Sequence, residues 1–409
     1  MIQSKKGSSR LDAGSRLGLA GTTTVGTGFG MIRWAFGLTL PEVRRSLGLS
    51  EAGLGLVAST TFFGFIAGLT LSRIVASRLG PRAPVLIGCV LGVIGCVVVA
   101  VSPSSTVLVL GTVTAGSGPG WVYAPYSELV TRTTPASRHP ELLALVTSGA
   151  SGGLIVMGTA AALALPDAWR IVWAVVAVAA AAAGVLNLIW TPRLPAVARS
   201  LNPTGQGAEK TSLVRLGTLY AYSVGFTGVS VTYFTFATDA VRRAGLPPIV
   251  GGLLFVIVGL AGLAGLRTGK LATRWGVTRM GAASVLVLGL AVALLAEARG
   301  TVIGVFASAA LAGSGYMIGA ACMSIWSAQL RPSRARSTFT SALTVGALAA
   351  VVAPALVGQL QTAVSLQQIL LWSAVAAVLL GIAGMRYARA LGPATDALDM
   401  RKSQPGRRR

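Results

Sequence analysis

Twelve separate apolar stretches recur along this 409-residue chain, each close to the roughly 20 residues that a helix needs to cross a bilayer's hydrocarbon core. They fall near residues 17–40, 52–74, 84–101, 106–129, 141–165, 170–190, 213–237, 248–267, 279–297, 300–328, 337–358 and 366–387. Connections of two to a dozen residues leave no room for a folded domain outside them. Composition agrees: 53% of residues are hydrophobic and 11% charged, about half the charge of an ordinary soluble domain, and mean hydropathy is +0.73. A soluble enzyme is excluded, and the expected fold is an all-α polytopic membrane protein with 12 transmembrane helices. The first stretch follows Lys5, Lys6, Arg10 and Arg16 like a signal peptide, but it is too long and lacks a small-residue cleavage site, so it is expected to stay as an uncleaved helix.

The net charge of +23 would suggest nucleic acid in a polar chain, but here the basic residues must lie outside the apolar runs. Sorted by connection, 27 of the 34 basic residues fall on the side of the two termini and six on the other, leaving only Arg33 inside a span. Positive charge collects on the cytoplasmic side. Both termini are therefore expected in the cytoplasm, with anionic lipid headgroups as the partner of the basic surface and no nucleic acid. The chain divides into a tail (1–16), a six-helix unit (17–190), a linker (191–212) rich in Pro and Gly, a second six-helix unit (213–390), and a basic tail (391–409) expected to be disordered and lipid-facing.

The two units repeat one another. Ala-Gly-Ser-Gly at Ala115–Gly118 returns at Ala312–Gly315, and Pro135 returns at Pro332, both offset by 197. Ala76–Gly80 (ASRLG) matches Ala272–Gly276 (ATRWG) at 196, and Arg44–Leu49 resembles Arg242–Leu246 at 197 to 198. Four matches in one register indicate two homologous, pseudo-symmetric six-helix bundles. This layout resembles the major facilitator superfamily. The most specific mark is the loop between helices 2 and 3, where the family shows G-x-x-x-D-R-x-G-x-R-R, repeated between helices 8 and 9. Here Arg73–Ala83 keeps Arg78, Gly80 and Arg82, and Gly269–Arg279 keeps Gly269, Arg274, Gly276 and Arg279. Ser77 and Thr273 replace the family's Asp, so a hydroxyl is expected to cap a helix in place of a carboxylate, giving a softer gate. The arginines are expected to hold helix ends through carbonyls and lipid phosphates.

The resemblance implies that helices 1, 4, 7 and 10 line a central cavity around which two bundles rock. Six of seven tyrosines lie on helices 4, 7 and 10. Buried phenols need hydrogen-bond partners, so Tyr123, Tyr222, Tyr233 and Tyr316 are expected at a solute site with Trp34, Trp121 and Phe226. Tyr126 and Tyr220 suit interface anchors. Helix 4, with Gly116, Gly118, Pro119, Gly120 and Pro125, can bend. It has Thr112 where the family often has arginine, and helix 5 lacks the antiporter Gly-Pro, which argues against drug/proton exchange.

Arg33 is the sharpest residue. It lies about five residues past the middle of helix 1, roughly 8 Å toward the outside, where an ionised group costs at least ~2 kcal/mol without a partner or cavity. No carboxylate lies at mid-depth, so a substrate anion is the expected counter-ion; snorkelling or bonding to backbone carbonyls is the alternative. Arg33, Phe36, Gly37 and Pro41 resemble the first helix of bacterial members grouped with monocarboxylate-type porters. The expected function is secondary active transport of a small organic, anionic solute by a monomer of the cytoplasmic membrane; the alternative is efflux of hydrophobic or amphipathic compounds. Asp239 and Glu42, at equivalent outer helix ends, are candidates for proton coupling, and the lone His139 suits a surface loop. No zinc-binding or nucleophile-elbow motif is present, so neither enzymatic activity, a metal nor a cofactor is expected.

Overall fold

Lipid offers no partners to backbone N–H and C=O groups, so each apolar stretch must satisfy them within its own helix. A computed structural model describes residues 12–164, 168–196, 213–298 and 300–402, with side chains through 390. It contains twelve long helices and, among the described residues, no strand. The first, α1, runs through three consecutive segments, Ala13–Val25, Gly26–Ile32 and Arg33–Leu47. It is followed by α2 (Glu51–Leu79), α3 (Arg82–Ala100), α4 (Ser105–Thr133), α5 (His139–Leu163) and α6 (Trp169–Trp190). The second half comprises α7 (Leu213–Arg243), then α8, which passes through Pro248–Gly262, Leu263–Arg267 and Thr268–Trp275. It continues with α9 (Val277–Glu297), α10 (Val302–Leu330), α11 (Ala335–Leu360) and α12 (Leu366–Lys402).

Local chemistry sets the ends. Asp12 and Ser50 accept hydrogen bonds from Ser15 N and Gly53 N at 2.7 and 3.2 Å and so cap α1 and α2. Gly48 stops α1 in the left-handed region at φ 62°. The chain from Gly392 stays helical to Lys402, where its polarity predicts a disordered tail; extending an existing helix avoids the unfavourable nucleation step. The expectations for 1–11, most of the linker (197–212), Asp167, Arg299 and 403–409 lie outside the described residues.

Helices α1–α6 and α7–α12 form two bundles with matching internal contacts: α2–α4, α3–α4 and α3–α6 in one correspond to α8–α10, α9–α10 and α9–α12 in the other. The repeated Ala-Gly-Ser-Gly explains part of this correspondence. A Cβ on Gly116 would strike the Thr61 carbonyl of α2, and one on Gly313 the Val258 carbonyl of α8. Gly118 and Gly315 likewise face the carbonyls of Gly88 on α3 (2.9 Å) and Ser284 on α9 (3.2 Å). The bundles meet along α1–α7, α2–α11 and α5–α8. Among the described residues, nine of the twelve helices are long and apolar enough to cross a membrane. The other three are α1, which is broken into segments, α4, whose buried face is rich in Gly and Pro, and α7, whose buried face is rich in Ser and Thr.

Candidate functional site

Helix α1 carries the site's charge, and its irregular middle sets where that charge points. The segment Gly26–Ile32 (GTGFGMI) is π-helical and hands over to α-helix at Arg33. Its glycines let the widened turns lie directly on neighbouring backbone: a Cβ at Gly26 would come within 2.8 Å of the Gly149 carbonyl on α5, and one at Gly28 within 3.3 Å of Pro119 on α4. Inserted π turns of this kind recur at functional sites because they re-aim the residues that follow.

Arg33 is aimed into a cavity of about 110 Å³ between the bundles. Phe29, Trp34 and Tyr123 form its wall on one bundle, and Phe226, Tyr316 and Phe339 its wall on the other. Among the described residues lining it, Arg33 is the only charged one. Among the described residues no carboxylate pairs with it, and its buried Nε has no hydrogen-bond partner. The guanidinium instead lies over the rings of Phe65, Trp34, Phe62 and Phe29, at 5.0, 5.2, 5.2 and 5.9 Å.

The tyrosines sort into two groups. Tyr126 donates to the Leu17 carbonyl at 3.0 Å, Tyr222 to the Gly319 carbonyl at 2.9 Å, and Tyr233 shares a 3.0 Å hydrogen bond with Ser308. Among the described residues, the hydroxyls of Tyr123 and Tyr316, which line the cavity, have no backbone carbonyl as partner and lie near the side chains of Thr147 and Trp34. Thr147 and Ser230 also line it, but their hydroxyls bond to the Leu143 and Phe226 carbonyls of their own helices. The structure therefore gathers Arg33, Trp34, Tyr123, Phe226 and Tyr316 around one space. It does not bring Trp121, Tyr222 or Tyr233 there: Trp121 is wedged against Gly68 and Gly88 on α2 and α3, and the two tyrosines are bound inside the second bundle. Tyr126, suited by sequence to an interface, is 1% exposed. Periodicity alone could not separate these cases, because a polar tip is satisfied equally well by a cavity or by a neighbouring helix.

Toward the face that carries the chain ends, this space continues into a larger cavity of about 570 Å³ between α4, α5, α8 and α10; Tyr123, Thr147, Met317 and Ala321 line both. Toward the opposite, distal face it is sealed. Trp34 stacks on Phe234 of the second bundle, centroids 4.4 Å apart, and Tyr316 stands edge-on to both. Beyond them, Arg44 grips Asp239 through two hydrogen bonds of 2.8 and 2.7 Å and Glu51 through one of 2.8 Å. Arg243 joins the same two carboxylates and Gln361 at 2.7 to 3.0 Å. Asp239, a candidate for proton coupling by its place at an outer helix end, is 1% exposed at the heart of this inter-bundle network. Glu42 edges a small distal cavity of about 40 Å³ and lies 3.5 Å from Arg45. On the chain-end face the bundles touch through Glu128 and Arg336 at 3.0 Å.

The repeated loops turn at two of their matched glycines, and one arginine holds a helix end. Gly80 and Gly276 adopt φ of 79° and 84°, and Arg82 donates to the Leu188 carbonyl at the end of α6 at 2.6 Å. The expected hydroxyl caps are not made: Ser77 and Thr273 bond back to the Ile74 and Lys270 carbonyls one turn earlier, because so short a side chain reaches its own helix first. Arg78, Gly269 and Arg274 stay exposed, and Arg279 is partly buried.

These features define an integral membrane protein of two six-helix bundles enclosing a central cavity. The chain belongs to the Major Facilitator Superfamily, whose family model matches residues 22–354. It is 29% identical over 238 residues to the purine ribonucleoside efflux pump NepI of Salmonella typhimurium, covering 55% of this chain and 57% of that one. Its fold is similar to a POT family transporter solved with 5-aminolevulinic acid (TM-score 0.74, 11% identity, 93% of this chain and 96% of that one). It is also similar to the xylose transporter XylE of E. coli (TM-score 0.70, 16% identity, 92% and 97%).

Proposed function

We propose that this protein is a secondary active transporter that moves a small organic anion across the plasma membrane by alternating access, with both termini cytoplasmic. One observation carries the reading: among the described residues lining the 110 Å³ cavity, Arg33 is the single charged one and none is a carboxylate, and its buried Nε has no hydrogen-bond partner. An uncompensated guanidinium at that depth is stable when a solute supplies the anion, which it holds through paired N–H donors. Trp34, Tyr123, Phe226 and Tyr316 pack the solute's body. The arrangement is an inward-facing state, since the distal side is sealed and the cavity widens toward the chain ends. The basic chain-end surface rests on anionic headgroups, and the monomer holds the complete pathway. Asp239 serves the distal closure, and Glu42 is the carboxylate placed to take up a proton from that side.

Uptake of labelled carboxylates into proteoliposomes by wild type and Arg33→Gln tests this. The variant is expected to lose at least about tenfold in rate, the equivalent of roughly 1.4 kcal/mol in the anion's interaction; equal rates overturn the anion role. The likeness to NepI supports a second reading, efflux of an uncharged purine ribonucleoside. It predicts nucleoside flux that Arg33→Gln leaves intact.

A further inference from the structure

The way Arg33 is held says which anions fit. A buried arginine in a helical bundle is normally stabilised by a carboxylate, which occupies the guanidinium's N–H fork. Here four ring faces surround it instead, Phe29 and Trp34 from α1, Phe62 and Phe65 from α2, all within 5.9 Å of Cζ. Ring faces attract the cation through their quadrupoles and accept no conventional hydrogen bond. The positive charge is thus stabilised while its N–H groups stay unspent. A carboxylate partner would do the reverse: it would cancel the charge and consume the donors, so that an incoming anion had to displace it.

Phe62 and Phe65 stand at the rear of this arrangement. Neither lines the central cavity, yet both face the guanidinium. Phe62 also touches Trp34 and Phe65 touches Phe29, with centroids 6.0 Å apart in each pair. On the cavity side, the hydroxyls of Tyr123 and Tyr316 have only the side chains of Thr147 and Trp34 as polar neighbours, and among the described lining residues no Asp or Glu is present to receive a cation. The remaining lining is mostly apolar, with Phe226, Phe339, Met317 and Met323 as its largest side chains and Thr147, Thr227 and Ser230 as its hydroxyls.

We infer that the aromatic cage of Phe29, Trp34, Phe62 and Phe65 is a positioning and charge-selecting device, which restricts the site to solutes with one anionic group, an apolar planar body and no cationic group. This rests on the anion reading above and narrows it. A zwitterion would bring an ammonium against Arg33 with no acid to meet it, and a cation would meet like charge alone. Phe62 and Phe65 are assigned as positioning residues that act through Arg33.

Three probes of similar body and different charge test the inference: 3-phenylpropanoate, L-phenylalanine and phenethylamine. Binding to the purified full-length protein would be followed by tryptophan fluorescence, since Trp34 lines the cavity, and by thermal shift. The propanoate is expected to bind at least about tenfold more tightly than the other two. Phe65→Leu and Phe62→Leu are each expected to weaken it about three- to tenfold, while Phe65→Tyr, which keeps the ring, restores wild-type affinity. In transport, the leucine variants should raise KM and leave kcat near wild type, a split that general loss of folding would not give. Equal binding of propanoate and amine overturns the inference. So do leucine variants that bind as wild type does; if Arg33→Gln still loses the propanoate in that case, the anion reading stands and only the cage falls. Absence of propanoate binding to wild type overturns the selection of a planar anion, and uptake of other carboxylates then decides the anion reading.

Discussion

Two hydroxyls and one carboxylate show how a residue's role follows from what already satisfies it. Tyr126 and Tyr316 are both buried phenols, but the first donates to a backbone carbonyl and the second has no such partner. Tyr126→Phe is therefore expected to cost about 1 kcal/mol of stability. Tyr316→Phe should leave the melting temperature unchanged and raise the KM for the solute; parallel melts and uptake assays check both. Asp12 works at the chain-end face, where it caps α1 and pairs with Arg138. Hydrogen bonds from Ser15, then the Arg138 guanidinium, hold its carboxyl down at about 2. The folded value lies below the unfolded one of about 3.9, so its contribution is complete above that pH and fades as pH falls toward 2. Melting temperatures of wild type and Asp12→Asn should differ above about pH 5 and converge toward pH 2. Arg33 was legible in sequence because an arginine within an apolar run is costly wherever it points. Its cage was not, since Phe62 and Phe65 are two apolar residues among many in the second span, and only the packing of α2 beside α1 brings them to the guanidinium.

At the scale of the element, small residues decide how near two helices come. Gly37 on α1 faces the Phe234 carbonyl and the Thr235 Cα of α7 in the other bundle, leaving no room for a Cβ. Gly37→Ala is expected to force the bundles apart at the distal face, costing about 1–3 kcal/mol of that closure by overpacking. Thiol labelling of a cysteine placed at Thr238 should then become faster in the variant; unchanged labelling would show that this contact carries no part of the seal. The duplicated Ala-Gly-Ser-Gly was readable as a repeat, and the structure gives its physical content, because both copies press glycine against neighbouring carbonyls. The π-helical stretch of α1 was not readable. Gly-Thr-Gly-Phe-Gly fits a regular helix just as well, and only contact with α4 and α5 selects the wider turn.

For the whole molecule, twelve spans and two bundles followed from apolar length and a 197-residue offset, but the state of the pathway could not. It depends on Arg44, Glu51, Asp239 and Arg243, which come from both halves and read separately as helix-end charges. Removing the buried carboxylate breaks the network, although Arg44 and Arg243 remain partly solvated. We expect Asp239→Asn to weaken the distal closure by about 1–2 kcal/mol, seen as faster labelling of the same distal cysteine at low and high salt alike. The deeper part of the seal is of another kind. Gly55 lies on the Pro354 carbonyl and Gly358 where α2 meets α11, and Gly158 lies on the Gly252 carbonyl where α5 meets α8. Main chain against main chain has no rotamers with which to follow a small displacement, and dispersion there falls by a quarter to a half over a gap of about 0.5–1 Å. Such a joint behaves as a latch and not as a spring: the bundles are seated or parted, and thermal jitter short of release admits nothing from the far side.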